Sequence, residues 1–257
     1  MRSPQPWGVA LIAVVVVVVL AGCATTVRVE TPQSPSVEVE SSPEATPASP
    51  TRTATPETDP VAPPGVANGT LENETALLAA HVASLRATGY RLETATGDSR
   101  TTYVAASNYS SFRVAPGPNA SRPAVWANET TTLARLVRDG ETVYRRPPRF
   151  WASPAQMTGA DALRVLFDAG AYARDGTARC GERRCAVLVA TDSTRFRNVT
   201  AEALVDGSGV VRRFRATYTR SGDDGAATVE YRLRVTRLGN VTVERPPWVA
   251  AALARTG

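Results

Sequence analysis

The sequence contains no lysine, and all 29 basic residues among its 257 are arginines. It has one histidine, His81, and three cysteines, Cys23, Cys180 and Cys185. The missing lysine excludes Schiff-base chemistry and the lysine-dependent phosphate-binding loop. A single histidine excludes a multi-histidine metal site, and a zinc site would have to combine two cysteines, the histidine and carboxylates. We therefore expect neither a metal nor another cofactor.

Long apolar runs are also scarce, because none reaches the roughly 18 residues that a membrane-spanning helix needs. The longest, 9–20, would rise only about 18 Å as a helix, against a hydrocarbon core of about 30 Å. Arg2 precedes this run and small residues follow it. Residues 1–22 are therefore predicted to be a secretory signal peptide.

The apolar run ends in Leu20-Ala21-Gly22-Cys23, which resembles the lipobox of lipoproteins. The resemblance implies cleavage between Gly22 and Cys23 and a lipid thioether on the nucleophilic sulfur of Cys23. The alternative is an ordinary secretory signal followed by a chance cysteine. We expect a protein that the lipid on Cys23 attaches to the extracellular face of the cell membrane.

The next segment has a composition of its own. Residues 24–64 contain nine prolines, no aromatic residue, and two arginines against six acidic residues, for a net charge of −4. Such a segment buries too little apolar surface to offset its ordering entropy, and its prolines make it semi-extended. We predict that 23–64 form a disordered tether behind the lipidated Cys23. Residues 65–257, with a net charge of +8, are predicted to form a single globular domain.

All seven asparagines stand in Asn-x-Ser/Thr sequons, so each is a candidate for N-glycosylation. They are Asn68, Asn73, Asn108, Asn119, Asn128, Asn198 and Asn240. The alternative is a composition that pairs asparagine with threonine in turns. Sequons together with a lipobox favour an archaeal cell surface, and we expect an exported surface glycoprotein.

Residues 65–257 predict an α+β fold. Apolar residues at helical spacing, with Thr75 as the N-cap and Gly89 as the stop, predict a first helix. Further helices are predicted over 160–169 and 248–254. Asp-Gly pairs mark hairpins between runs of alternating residues. About ten strands in meander order predict a large antiparallel sheet packed on two or three helices.

Two hairpins can be registered from their apolar faces. In the first, Val205 is placed opposite Val210. In the second, the apolar residues of 214–218 face those of 229–233. His81 lies on the apolar stripe of the first helix, so it is predicted to be a core histidine with satisfied hydrogen bonds rather than a catalytic base.

A helix, meander strands, a second helix and further meander strands are the layout of the outer-membrane lipoprotein-carrier (LolA-like) fold, which residues 70–250 resemble. The lipobox, the tether, Gly89-Tyr90 and the terminal 246–248 (Pro-Pro-Trp) are also similar to those of uncharacterised archaeal, haloarchaeal-type surface lipoproteins. The resemblance implies a curved half-barrel that encloses an apolar cavity for acyl chains. No residue matches a ligand-contact motif, so no site is carried over from the family.

Cys180 and Cys185 flank a four-residue loop between strand-like segments. Placed on opposite strands they would lie about 5.5 Å apart, which is within disulfide reach in an oxidising compartment. The alternatives are a redox pair, which usually has Cys-x-x-Cys spacing, and a pair of metal ligands, whose further partners are missing. We predict a structural disulfide.

Arg213 and Arg215 are predicted to share one sheet face with Arg232 and Arg234 of the partner strand. Like charges in direct opposition cost stability. One interpretation is an anion-contact patch for lipid headgroups, an acidic glycan or an S-layer. The alternative is a solvated face whose charges are relieved by nearby glutamates.

These features indicate a class of function but do not identify a specific ligand. No catalytic motif is present, so we do not expect an enzyme, and nucleic acid would rarely meet an exported, tethered domain. We expect a monomeric, non-enzymatic carrier or binding module for a lipid or other hydrophobic ligand. The alternative hypothesis is a structural or interaction glycoprotein of the cell envelope with an arginine-rich contact face.

Overall fold

Strands account for most of the residues that the structure describes. The structure is a computed structural model, and it describes residues 62–118, 122–148, 152–222 and 225–256. The predicted signal peptide, Cys23, nearly all of the predicted tether and Asn119 lie outside these residues.

Thirteen strands within the described ranges form one antiparallel sheet that is not closed. They are β1 Val66–Ala67, β2 Thr70–Leu71, β3 Tyr90–Thr96, β4 Ser99–Ala105, β5 Phe112–Pro116, β6 Ala124–Ala127, β7 Thr132–Arg138, β8 Glu141–Arg145, β9 Gly170–Cys180, β10 Arg183–Ser193, β11 Arg197–Asp206, β12 Val211–Gly222 and β13 Gly225–Leu238. Their order across the sheet is β1-β2-β9-β10-β11-β12-β13-β3-β4-β5-β6-β7-β8. The two meanders β3–β8 and β9–β13 therefore join where β13 pairs with β3.

Four α-helices accompany the sheet in the described part of the chain. They are α1 Glu74–Thr88, α2 Pro154–Thr158, α3 Ala160–Asp168 and α4 Trp248–Thr256. None of the four combines the length and the apolar character that a membrane span requires. The prediction of an α+β fold with a large antiparallel sheet is confirmed, but the expected ten or so strands and two or three helices are too few. The additional elements include two-residue strands and a five-residue helix, which are too short for a periodic pattern to reveal.

Helix α1 begins earlier than the sequence indicated. The predicted N-cap, Thr75, is wrong, because the side-chain oxygen of Asn73 accepts a hydrogen bond from the Ala76 N–H at 2.9 Å. The helix ends at Gly89, as predicted. The turn before it requires Gly65, whose φ is +82° and where a Cβ would lie 2.1 Å from the Asn73 carbonyl oxygen.

Helices α1 to α3 cover one face of the sheet, which we call the inner face. Leu77 and Leu85 of α1 and Leu163 of α3 are fully buried in one apolar cluster with inward-facing strand residues. Helix α4 instead packs on the opposite, outer face at β6 and β7. There Trp126 and Leu133, which are paired across the two strands, contact α4. Strand β6 is consequently buried on both of its faces.

The structure confirms one predicted hairpin register and corrects the other. Strands β12 and β13 pair the three apolar couples as expected: Phe214 with Leu233, Ala216 with Tyr231, and Tyr218 with Val229. Between β11 and β12, however, Val205 pairs with Val211 rather than with Val210. A β-bulge adds Arg212 to β12 at this point, and a bulge shifts register without exchanging the two faces further along the strand.

His81 joins α1 to both α2 and β12. Its Nε2 lies 3.1 Å from the carbonyl oxygen of Thr158, and its Nδ1 accepts the Val211 N–H at 3.2 Å. A neutral imidazole with its proton on Nε2 satisfies both contacts. Burial lowers the pKa of His81 to about 4, against opposing effects of the Thr158 carbonyl and the Asp206 charge. The predicted core histidine is confirmed.

We expect His81 to make folding dependent on pH. In the unfolded chain a histidine takes up a proton near pH 6.5, whereas folded His81 stays neutral down to about pH 4. The stability that neutral His81 supports is therefore complete above about pH 6.5 and declines as the pH falls towards 4. The difference between the unfolded and folded pKa of His81 corresponds to a loss of about 3 kcal/mol in the free energy of unfolding at low pH. Urea unfolding at a series of pH values, followed by tryptophan fluorescence, measures it.

The matched control is His81→Gln, which keeps a donor and an acceptor but does not titrate. Carboxylates contribute equally to the pH dependence of both proteins, so the difference between them isolates the imidazole. Parallel stability curves for wild type and variant would contradict the assignment.

Candidate functional site

A groove of about 600 Å³ lies between α1 and the α2–α3 pair and is open to solvent. We call it the helical groove. This volume falls within the range of small-molecule sites in proteins. One wall is a face of α1 with residues three and four apart: Thr75, Leu78, Ala79, Val82, Ala83, Arg86 and Ala87. The other wall consists of Ser153, Pro154, Ala155, Ala160 and Arg164, and Asn108 also lines the groove. Most of this lining is apolar.

Local sequence features hold the second wall in place. The Ser153 hydroxyl accepts the Gln156 N–H at 3.2 Å, and the Gln156 side chain accepts the Ser153 N–H at 3.3 Å, which forms a capping box at the start of α2. Gly159, with φ of +75°, then connects α2 to α3. A Cβ at Gly159 would lie 2.6 Å from Leu233 Cδ1, so glycine allows the junction to press directly onto β13.

The charges of the helical groove are of one sign. Among the described residues, Arg86 and Arg164 are the only charged ones that line it, and no carboxylate does. Both arginines are exposed, and neither lies within ion-pair distance of a carboxylate in the described ranges. An apolar floor with a cationic rim is complementary to an amphiphile that has an anionic head.

Aromatic side chains occupy the space between the inner face and α3. The ring of Phe167 lies 5.0 Å from that of Tyr172 and 5.3 Å from that of Phe214, both nearly edge to face. Burial raises the pKa of Tyr172 and of Tyr231, so both phenols are neutral. The small inward residues of β11 and β12 are buried in the same cluster. The helical groove is therefore a separate feature from the packed interior.

The four arginines of the predicted contact patch come together on the outer face. Arg213 is directly opposite Arg234, and Arg215 is directly opposite Arg232, in the predicted register. Glu202 accepts a hydrogen bond from Arg213 Nη2 at 2.7 Å, and Glu230 pairs with Arg232. These two glutamates thus pair with two of the four arginines. Arg215 and Arg234 have no carboxylate within ion-pair distance among the described residues, although Glu202 on β11 is directly opposite Arg215 and Glu93 on β3 is directly opposite Arg234.

Two grooves run across this outer face. A groove of about 440 Å³ is lined by Arg179, Arg212, Arg213, Arg215 and Arg234. A second groove of about 250 Å³ is lined by Arg100, Arg213, Arg215, Arg232 and Arg234, with Glu93 as its only acidic residue. Because the grooves share three arginines, we treat these seven arginines as one feature, the arginine track. The sequence pattern did not indicate Arg100, Arg179 and Arg212, because they lie on other strands or at the bulge.

The disulfide between Cys180 and Cys185 stands at one end of the arginine track. Its Cα atoms are 5.9 Å apart, so the predicted disulfide is confirmed. The predicted direct opposition of the two cysteines is wrong, because a tight turn pairs Cys180 with Arg183 and places Cys185 opposite Ala178. The cysteines are therefore diagonal neighbours, and Cys180 lines the larger groove.

Asp206 holds the turn and the bulge beside the arginine track. One carboxylate oxygen accepts the N–H groups of Ser208 and Val210 and the Ser208 hydroxyl, and the other accepts Arg212 Nε at 2.7 Å. Burial acts to raise the pKa of Asp206, but the hydrogen bonds and the charge of Arg212 outweigh it, so the pKa is lowered. Arg212 is thereby fixed at the edge of the larger groove.

Six of the seven candidate glycosylation asparagines lie in described residues, and each has a local structural role. Four have a left-handed backbone, with φ between +43° and +52°: Asn68, Asn108, Asn198 and Asn240. Asn73 caps α1, and the Asn128 side chain accepts two backbone N–H groups of the following turn. Asparagine tolerates such conformations better than most residues. Five of the six are exposed and Asn128 is half-buried, and their glycosylation stays a prediction.

The capping role and the sequon of Asn73 can be separated by mutation. We expect Asn73→Ala to lower the free energy of unfolding by about 1 kcal/mol, because the cap is lost. Asn73→Asp retains a capping oxygen and should unfold like the wild type. Thr75→Ala leaves the cap and removes the sequon. If Asn73 carries a glycan, all three variants produced in the native host lose its mass, while only the first is destabilised. An Asn73→Ala variant as stable as Asn73→Asp would contradict the capping role.

No metal-binding arrangement of three His, Cys, Asp or Glu side chains occurs within residues 62–118, 122–148, 152–222 and 225–256.

Comparison with known proteins returns only solved structures. No protein-family model matches the chain, and no curated protein matches it. The chain is similar to MucB in complex with MucA(peri), with a TM-score of 0.34 and 16% identity over 68% of this chain and 58% of that chain. A chain of the Pseudomonas aeruginosa MucA/MucB complex gives a TM-score of 0.35 and 15% identity over 68% and 59%. A DUF1329 family protein from Desulfovibrio piger gives a TM-score of 0.23 and 10% identity over 66% and 93%. The chain thus spans less than two thirds of the length of the two MucA–MucB complex chains.

Proposed function

We propose that this chain is a non-enzymatic, lipid-anchored binding module at the extracellular face of the cell membrane, with a LolA-like domain that holds a hydrophobic ligand. The helical groove is the observation that carries the proposal. Its apolar lining and its two cationic rim residues suit one aliphatic chain with an anionic head. The order of helix, meander, helices and second meander supports the LolA-like assignment, although here the ligand lies between helices rather than under the sheet.

The apolar lining and the two arginines of the groove contact different parts of the ligand. Ala79, Val82 and Ala83 offer an apolar surface, which favours an aliphatic chain in proportion to the area removed from water. Arg86 and Arg164 offer planar guanidinium donors, which form paired hydrogen bonds with carboxylate or phosphate. The ligand is therefore an amphiphile rather than a neutral hydrocarbon.

Filling the groove tests the proposal. We expect the full chain in neutral detergent to bind a fluorescent long-chain fatty acid saturably. Ala83→Phe, which places a ring in the groove, should weaken binding at least about tenfold, which corresponds to about 1.4 kcal/mol. The matched control is Ala251→Phe on α4, because Ala251 is equally small and exposed but does not line the groove. Equal losses in both variants, or no saturable binding, would overturn the proposal.

The role of the rim arginines is tested by comparing a fatty acid with the matching fatty alcohol. We expect Arg86→Gln with Arg164→Gln to weaken binding of the fatty acid about tenfold and to leave binding of the matching fatty alcohol nearly unchanged, since charge-assisted hydrogen bonds contribute about 1.5–3 kcal/mol. Competition against the fluorescent probe measures both affinities. A parallel loss for acid and alcohol would show that the arginines act only through packing.

The anchor has its own test. Two lipid chains hold a protein at a membrane stably whereas one binds marginally, so a dialkyl lipid on Cys23 would suffice. We expect Cys23→Ser to leave the precursor uncleaved by the lipoprotein peptidase and to remove the lipid mass from the N-terminus. Intact-mass spectrometry of the membrane fraction measures both. An unmodified Cys23 thiol on the mature, membrane-bound wild type would falsify the lipoprotein assignment.

A further inference from the structure

We propose that the arginine track is a binding site for an acidic polysaccharide chain. The track lies on the outer face of β9–β13 and β3–β4, whereas the helical groove involves the helices that cover the inner face. The inference is therefore independent of the amphiphile site and concerns a different class of ligand.

The larger groove concentrates positive charge to an unusual degree. Within the described ranges, five arginines and no carboxylate line it. Two of them are neutralised from outside the groove, Arg212 by Asp206 and Arg213 by Glu202. The other three, Arg179, Arg215 and Arg234, have no carboxylate within ion-pair distance among the residues described. Their charge is available to a ligand.

The strand register places like charges next to one another within the track. Arg213 stands directly opposite Arg234, and Arg215 directly opposite Arg232. Like charges opposed across an antiparallel pair destabilise the sheet. Glu202 on β11, opposite Arg215, and Glu93 on β3, opposite Arg234, offset part of this cost, and an anion between the arginines removes more of it. A bound carboxylate or sulfate gains from this relief as well as from the paired donors of each guanidinium.

The shape of the track favours a chain over a flat surface. The two grooves share Arg213, Arg215 and Arg234, so they continue into one another across the sheet. From Arg179 on β9 to Arg100 on β4 the track crosses seven strands, which span roughly 30 Å at about 4.8 Å per strand spacing. A flat anionic membrane cannot enter a recessed groove, whereas a linear polymer with an acidic group at intervals can lie along it.

The disulfide supports one end of the track. Cys180 and Gly181 line the larger groove beside Arg179, and the bond to Cys185 ties this turn across β9 and β10. Arg179 is thus held at the groove edge by a covalent link rather than by a flexible loop. The bond closes a short loop, so its stabilising effect is only about 2 kcal/mol.

A heparin oligosaccharide is the probe that tests the proposal, with neutral dextran and phosphatidylglycerol vesicles as comparison ligands. The full chain in neutral detergent is titrated by calorimetry at low and at high salt. We expect heparin to bind, dextran not to bind, and the affinity to fall as salt screens the charges. The triple variant Arg179→Gln, Arg215→Gln, Arg234→Gln should lose at least about tenfold in affinity, which is about 1.4 kcal/mol.

A control variant separates the track from net charge. Arg138→Gln, Arg220→Gln and Arg237→Gln change the net charge equally but lie outside both grooves, and should lose less than about threefold, under about 0.7 kcal/mol. Equal losses in the two triple variants would overturn the proposal, as would binding to the vesicles without binding to heparin, or no binding at all. If the track variant unfolds, Arg215→Gln alone carries the test, because that side chain is exposed and has no ion-pair partner in the described ranges.

Discussion

The two hydrogen bonds of His81 fix the arrangement on which both candidate sites depend. Through Nε2 the imidazole reaches the Thr158 carbonyl at the end of α2, and through Nδ1 it takes up the Val211 N–H at the start of β12. The first contact sets the separation of α1 from α2, and therefore the width of the helical groove. The second provides a partner for a backbone donor at the bulge, and buried donors without partners are costly. One buried side chain thus positions a helix, a helix pair and a strand.

The bulge beside His81 has consequences on the other side of the sheet. Because β12 carries one extra residue at Arg212, this side chain leaves the regular alternation and reaches Asp206 at 2.7 Å. From Arg213 onward the alternation resumes, so Arg213 and Arg215 face outward while Phe214 enters the core. The same local irregularity that accommodates α1 therefore adds a fifth arginine to the larger outer groove. The helix-covered face and the arginine track are coupled through this single strand.

Sequence alone predicted the parts of this structure that rest on long, regular patterns. The β12–β13 register followed from its apolar alternation, and with it the opposition of Arg213 and Arg234. The disulfide and the core position of His81 also followed from spacing. The missed features depend on single hydrogen bonds or on very short elements, such as the Asn73 cap, the bulge at Arg212 and helix α2. The helical groove was missed because its α1 wall is a stripe of small residues beside the core stripe, and only the position of α2 shows that this second stripe faces another wall.

The exclusive use of arginine as the basic residue has a structural consequence on the outer face. Guanidinium groups are planar and weakly hydrated, so they lie against aromatic rings more readily than ammonium groups do. Three arginines do this around α4: Arg135 over Trp248 at 5.8 Å, Arg245 over Trp126 at 5.9 Å and Arg255 over Tyr144 at 5.4 Å. These cation–π contacts hold α4 and the segment before it against β6–β8, and none of the three arginines has a carboxylate within ion-pair distance in the described part of the chain. The arginines of the track have no such rings beside them among the aromatic contacts of the described chain, and only some have carboxylates. The same residue type therefore packs against aromatic rings at one end of the outer face and lines the two grooves at the other.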